Sequence, residues 1–561
     1  MTRPVIENRT PAGRCTSAAG RFVCRALVAG ALVAATAAAT AAGTSSAFAA
    51  PPSGGTLTWG VETEPTTFNP QLNGQAKAEL ILRASFESLL ARKPDGSYVP
   101  WLATGYRVSA DGKTYTFTLR DGVKFTDGTP FDAAAVVKNF EQVRDPSYCA
   151  GSSICGIATR LAEARAIDPH TVQLTLREPY APFLSFAAAL KLISPAAYAS
   201  PQLKSGGHDV AGTGPFILAS YRKGQEADFV RNPDYRWAAA TTGHQGPAYL
   251  DRVVYRFLPE SSVRTGALLS GQVDVIEGIS GNDAGLIEKQ PNLRYLHALN
   301  TGSPYSLYLN VTQPPTSDPL VRRALLQALD LDALVAAIYR GKRTRAWGIT
   351  SPVDPLYDRG IEHRYGNDPA LANRLLDQAG WQARDSAGYR TKDGRRLSID
   401  VVQALATVRD QRDVLLQGVQ AQARQRLGVE LKIRYVDAGT YVDARNSGRF
   451  GAIPNSNTDT DGIDTENHYL PVERGGVINY SRTADPRLAD WLHAAARTRD
   501  DAARGHLYSE LQQTVIVDEA YAVPLYQPED QIAASTRVHG LSFRSFKQMP
   551  ETPYDVWLDP H

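Results

Sequence analysis

Cysteine, methionine and histidine are scarce in this chain of 561 residues, which has four, two and ten of them. Cys15 and Cys24 precede an uncharged alanine-rich run, and neither follows it, so no cysteine stands where a lipid would be attached. Cys149 and Cys155 remain, within YCAGSSICG. No second Cys or His pair accompanies them, which argues against zinc, and their short spacing around a Gly-Ser-Ser loop is read as a disulfide of an oxidising compartment. The histidines are scattered, none paired with another at metal spacing, so no metal site is expected. Also missing are a G-x-S-x-G elbow, H-E-x-x-H, a Walker-type G-K-[ST] and C-x-x-C. GTGPF at 212–216 begins like a dinucleotide fingerprint but lacks its third glycine, and is read as a tight turn. These absences speak against an enzyme and against a bound cofactor.

What is present begins with a targeting segment. Arg3, Arg9, Arg14, Arg21 and Arg25 lead into ALVAGALVAATAAATAAG, and Ala47-Phe48-Ala49 follows as a small-x-small cleavage site. Residues 1–49 are read as a secretory signal peptide, too rich in alanine and glycine to be a membrane anchor. The formal charge of +2 turns slightly negative once these arginines are set aside, so the balance gives no footprint for nucleic acid. No later stretch approaches a transmembrane span. The remaining length exceeds what one core serves, and two or three domains are expected.

The clearest local pattern is DGKTYTFTLRDGVKFTDGTPFDAAAVV (111–137). Tyr115, Phe117 and Leu119 alternate with threonines, as in a half-buried strand, and Asp132 stands where it can cap an alanine-rich helix. From about residue 300 longer helical patterns alternate with strands, indicating an α/β fold. The one concentration of acid groups is NSNTDTDGIDTENHYL (455–470), holding Asp459, Asp461, Asp464 and Glu466. Part of it matches a calcium loop, but His468 occupies the place of the bidentate glutamate. On the residues alone, a solvated acidic loop and a carboxylate facing a cationic ligand stand side by side.

Residues 102–137, with TFNPQL (67–72), RNPDYRW (231–237), LLSGQVDVIEG (268–278), LYLNVTQPP (307–315) and VINYSR (477–482), resemble the extracellular solute-binding proteins of peptide- and nickel-type ABC importers. The resemblance runs through nearly all of the chain after the targeting segment. It implies a two-lobed, type II periplasmic-binding-protein-like fold, in its three-domain variant, closing by a hinge on a ligand cleft. Residues 52–85, 211–295 and 522–561 would form the first lobe, 86–210 an inserted domain and 296–521 the second lobe. The implied function is capture of a small peptide or peptide-like solute for an inner-membrane ABC permease, by a periplasmic monomer that does not bind nucleic acid. A metal-chelate binder using His468 is the alternative within the class, and a secreted peptide hydrolase the alternative outside it.

The resemblance also assigns roles. Peptide-binding members hold the ligand's α-ammonium with an aspartate of the second lobe, and the match falls on Asp461, with Asp459 beside it and Asp464 as the loop's second aspartate. Thr458 replaces the usual tryptophan and Thr465 a proline, so the pocket wall departs from dipeptide binders. Arg409 lies near the place of a carboxylate-binding arginine without matching it position for position, and a solvated arginine at a helix start is the preferred reading of it. Tyr480 is expected in the pocket, and Glu62 and Phe68 at the cleft edge after the first strand.

Overall fold

The computed structural model describes residues 51–93, 95–149, 153–459, 461–476, 478–543 and 553–560. The expected signal segment, 1–49, lies outside them, as does the side chain of Cys149. Cys155 is disulfide-bonded.

Strand pairing separates two lobes and an inserted domain. One mixed sheet of seven strands runs Leu293–Leu299, Glu529–Ser535, Val275–Glu277, Thr56–Val61, Arg252–Phe257, Glu226–Arg231 and Phe216–Arg222. Its central strand, Thr56–Val61, lies parallel to both neighbours and buries Leu57, Trp59 and Val61 completely. A second mixed sheet of six strands runs Thr344–Arg345, Ala522–Gln527, Tyr305–Leu309, Ala452–Asn455, Ser398–Ala404 and Glu430–Val436. The third, antiparallel throughout, contains Ala103–Val108, Thr114–Leu119, Thr171–Leu176 and Leu161–Asp168. There Tyr115, Phe117 and Leu119 face the core as their alternation predicts. Asp132 caps Ala133–Arg144 by accepting the Ala135 N–H at 2.8 Å.

The expected boundary at 522 falls six residues early. Ala522–Gln527 pairs within the second sheet, and Glu529–Ser535 enters the first. Both strands are buried along nearly their whole length, Glu529, Asp530 and Gln531 included, and an unbroken buried run carries no signal of which sheet it joins. The chain also crosses between sheets after Leu299, and the two crossings are bonded: Asn300 N–H donates to Pro528 O at 2.9 Å, and Gln527 Nε2 to Asn300 O at 3.0 Å.

Burial divides the molecule differently from chain order. The first lobe and the inserted domain share one continuous apolar cluster, in which Trp59, Phe229, Phe117 and Phe140 all take part. The second lobe has its own, around Leu307, Leu325, Val401 and Leu488. Helices of the second lobe start at Asp-Pro pairs (318–319, 368–369, 485–486), where the aspartate accepts a first-turn N–H and proline occupies the opening position without losing a bond.

Candidate functional site

A cleft of about 950 Å³ lies where the two lobes and the inserted domain meet. It gathers the carboxyl ends of strands, the usual location of ligands in α/β sheets: Glu62 follows Thr56–Val61, Ala406 and Thr407 follow Ser398–Ala404, and Asn455 closes Ala452–Asn455. Ile154, Ala189 and Lys191 of the inserted domain complete the wall.

On the first lobe the lining is acidic. The Glu62 N–H donates to Glu277 Oε1 at 3.3 Å, while Glu62 Oε2 is buried without a hydrogen-bond partner among the described residues. Gly278, at φ +64°, stands beside it; a Cβ there would come within 2.8 Å of Glu62 Oε2, so glycine keeps this space open. Lys77 Nζ lies 2.7 Å from Asp530 Oδ1. Burial alone would lower the Lys77 ammonium, but Asp530 and Glu277 raise it above the usual lysine range. Burial pushes Glu277 up to about 7, with Lys77 opposing.

On the second lobe the lining is cationic. Arg409 lines the cleft; its backbone oxygen accepts from the Arg412 N–H at 2.9 Å, while its guanidinium makes no hydrogen bond or ion pair with any described residue. Burial, and then the neighbouring Arg412 guanidinium, draw it below the usual arginine range. Arg412, by contrast, is fixed: it donates to Tyr526 Oη at 3.1 Å and Ser456 Oγ at 2.8 Å, and its guanidinium lies 4.2 Å over the Tyr305 ring. Asp410 sits 3.4 Å from Arg343 and accepts from Tyr526 at 3.3 Å. Burial would raise this carboxyl, but Arg343, Lys77, Arg412 and Arg409 hold it well below the usual range. Asp410 and Gln411 adopt φ of 50° and 54°, a left-handed pair just before the helix Arg412–Gln422. Two consecutive non-glycine residues in that region are costly, and such strain concentrates at binding sites.

Four of the expected site residues meet here: Glu62, Arg409, Thr458 and Asp459. The other three do not line the cleft. Asp461 Oδ1 lies 2.7 Å from Arg504 Nη1, and its Oδ2 accepts from Ser185 Oγ at 3.1 Å and Tyr98 Oη at 3.4 Å. The carboxylate expected for a ligand ammonium is therefore engaged by protein groups brought from elsewhere in the chain. Tyr480 stands one layer behind the wall, buried, accepting from the cleft residue Asn455 at 2.9 Å and packing against Tyr308 and His468. Phe68 turns inward onto Tyr221 and borders a separate cavity. His468, on which the metal-chelate alternative rests, is buried beside the Tyr308 hydroxyl at 2.9 Å, and burial pushes it down to about 3. Lys77, Arg343, Asp410 and Arg412 had no motif to mark them; only Arg412 carried a hint, from its position at a helix start.

A cleft between two α/β lobes, lined by opposed charges from each, defines a solute-binding protein. The family model "Bacterial extracellular solute-binding proteins, family 5 Middle" matches residues 97–477, and the chain belongs to that family. It is 29% identical over 494 residues to the nickel-binding periplasmic protein of Escherichia coli K12, covering 85% of this chain and 89% of that protein. It is 28% identical over 504 residues to the glutathione-binding protein GsiB of Salmonella typhimurium, covering 87% and 91%. Among solved structures, the oligopeptide-binding protein AppA of Bacillus subtilis, in complex with a nonapeptide, superposes with a TM-score of 0.77 at 21% identity, over 91% of this chain and 100% of AppA. Among the described residues no helix is long and apolar enough to cross a membrane.

Proposed function

We propose that this protein is exported and, as a monomer without catalytic activity, captures a small peptide or peptide-like solute and delivers it to an inner-membrane ABC permease. The observation that carries this reading is the pair Arg409 and Glu62. Each lines the same cleft from a different lobe; the buried Glu62 Oε2 has no hydrogen-bond partner among the described residues, and the Arg409 guanidinium makes no hydrogen bond or ion pair with them. A zwitterion satisfies both, its carboxylate on Arg409 and its ammonium at Glu62, and each charge-assisted bond in a closed cleft is worth about 1.5–3 kcal/mol. Thr458 and Asp459 border the same space and supply polar contacts along the solute. A cleft of about 950 Å³ has room for a short peptide. The glutathione-binding relative accords with this class of solute.

The test is native mass spectrometry of protein exported by its host and purified without refolding, followed by release of whatever is bound. Short peptides among the released masses are expected. A single discrete non-peptide mass would overturn the peptide assignment while leaving solute capture in place.

A further inference from the structure

The inserted domain is packed onto the first lobe through a shared apolar core, yet polar contacts tie it to the second lobe, to which no chain segment joins it directly. Arg160 Nη2 lies 2.9 Å from Glu466 Oε2, and the Arg160 guanidinium covers the Tyr180 ring at 4.2 Å. The Tyr180 hydroxyl donates to the same Glu466 oxygen at 3.3 Å. At the other end of the short helix Ile463–Tyr469, Ser185 and Tyr98 donate to Asp461. The contact extends through the Ala181 N–H, which donates to Ala496 O at 2.6 Å, and through Arg497 Nη2, 2.6 Å from Glu178 Oε2.

Two features make this more than incidental surface contact. The receiving carboxylates are only 12% and 10% exposed, so their partners cannot be replaced by water without opening the interface. Asp461 is also held in place from its own lobe, since Arg504 pairs with its side chain and donates to its backbone oxygen at 3.0 Å. The receiving half is thus braced within the second lobe as well as gripped from the inserted domain.

We infer that Arg160, Tyr180, Ser185 and Tyr98 of the inserted domain form a clasp on Glu466 and Asp461 that holds the cleft shut without needing a solute inside it. The hinge crossings at Asn300 and Pro528 join the lobes covalently, and the clasp joins them a second time without a covalent link. The solute then enters during brief openings, and its association rate is reduced by the fraction of time the clasp is closed.

The clasp can be tested without a ligand. Spin labels on Lys124→Cys in the inserted domain and Arg395→Cys in the second lobe report the interdomain distance in the mature chain, shown by native mass spectrometry to carry no solute. The expected result is a mainly short distance in the otherwise wild-type protein. Arg160→Ala should shift the closed-to-open ratio at least about tenfold toward a longer distance. Tyr98→Phe with Ser185→Ala, which leaves Arg160 in place, should shift it in the same direction and serves if Arg160→Ala does not fold. A mainly long distance in the unsubstituted protein overturns the proposal, and so do distributions that neither set of substitutions changes.

Discussion

Arg504 Nη1 and Asp461 Oδ1 are 2.7 Å apart, and both side chains are largely buried. The pair occupies the acidic loop where a ligand's ammonium was expected, so the cation facing this aspartate belongs to the protein. Asp461→Ala should therefore act first on stability. It strands a buried guanidinium, a loss of about 3 kcal/mol in urea unfolding. Asp461→Asn combined with Arg504→Met should recover part of that loss, because neither side chain then needs a counter-ion and asparagine tolerates φ +61° and can still accept from Ser185 and Tyr98. Additive losses in the double variant would show that the two residues do not act as a pair.

Arg409 has the opposite profile. Because its guanidinium has no hydrogen bond or ion pair to the described protein, its truncation leaves the unfolding free energy nearly unchanged. Arg409→Ala should weaken binding of the solute released from the native protein about 10- to 100-fold by calorimetric titration. The same loss is expected for the wild-type protein when the solute's carboxylate is amidated.

Glu87 predicts a pH dependence of stability. It is fully buried at the base of the inserted domain and accepts from Trp101 Nε1 (2.9 Å), Thr213 Oγ1 (2.8 Å), Tyr235 Oη (2.5 Å) and Trp237 Nε1 (3.0 Å). Burial nevertheless pushes it up to about 7 from an ordinary 4.5, as it does Glu277 and Glu466. Between those values the folded state keeps a proton that the unfolded chain releases. The stabilisation is full below about pH 4.5 and lost as the pH rises through about 7, a change of about 3 kcal/mol for one such group. Urea unfolding at pH 5 and pH 8 should show higher stability at the lower pH, and Glu87→Gln should remove its own share of the difference, leaving that of Glu277 and Glu466.

Gly302 adopts φ +81° against the cleft loop, where a Cβ would come within 2.7 Å of Asp459 O and 2.8 Å of Thr458 Cα and would also strike Asn457 O. Those atoms are backbone and cannot swing aside. Gly302→Ala should displace residues 457–459 and lower solute affinity at least about tenfold, with a stability loss of about 1–3 kcal/mol. Unchanged binding would mean that the loop takes no part in holding the solute.

Legibility followed the range of the interactions. The alternation of Tyr115, Phe117 and Leu119 and the Asp132 cap were readable because each depends on neighbours within a few residues. The lobes were legible only through resemblance. Arg409 and Glu62 line the cleft, the arginine against the preferred reading of it as a solvated helix-start residue, and the engagement of Asp461 was invisible, because Ser185 and Tyr98 lie 276 and 363 positions away in sequence and share no motif with it. The strand Ala522–Gln527 was misassigned for a similar reason: a wholly buried run has no polar face to report its sheet.

The inserted domain also has a single doorway. The Gly214 N–H donates to Ser85 O at 2.9 Å and the Phe216 N–H to Ala84 O at 3.0 Å, so the chain leaves the first lobe and returns to it at one point. Gly214 has no side chain there because a Cβ would sit 2.5 Å from the Ser85 carbonyl carbon. Surface loops between can change in length freely, whereas the side chains that the segment lends to the shared apolar core, and Glu87 with its partners Thr213, Tyr235 and Trp237, must be kept. The part of the molecule that borders the cleft and contacts the second lobe is thus entered and left at one point yet anchored by a shared core, so its outer surface can be refitted to a different cargo while its inner face stays fixed.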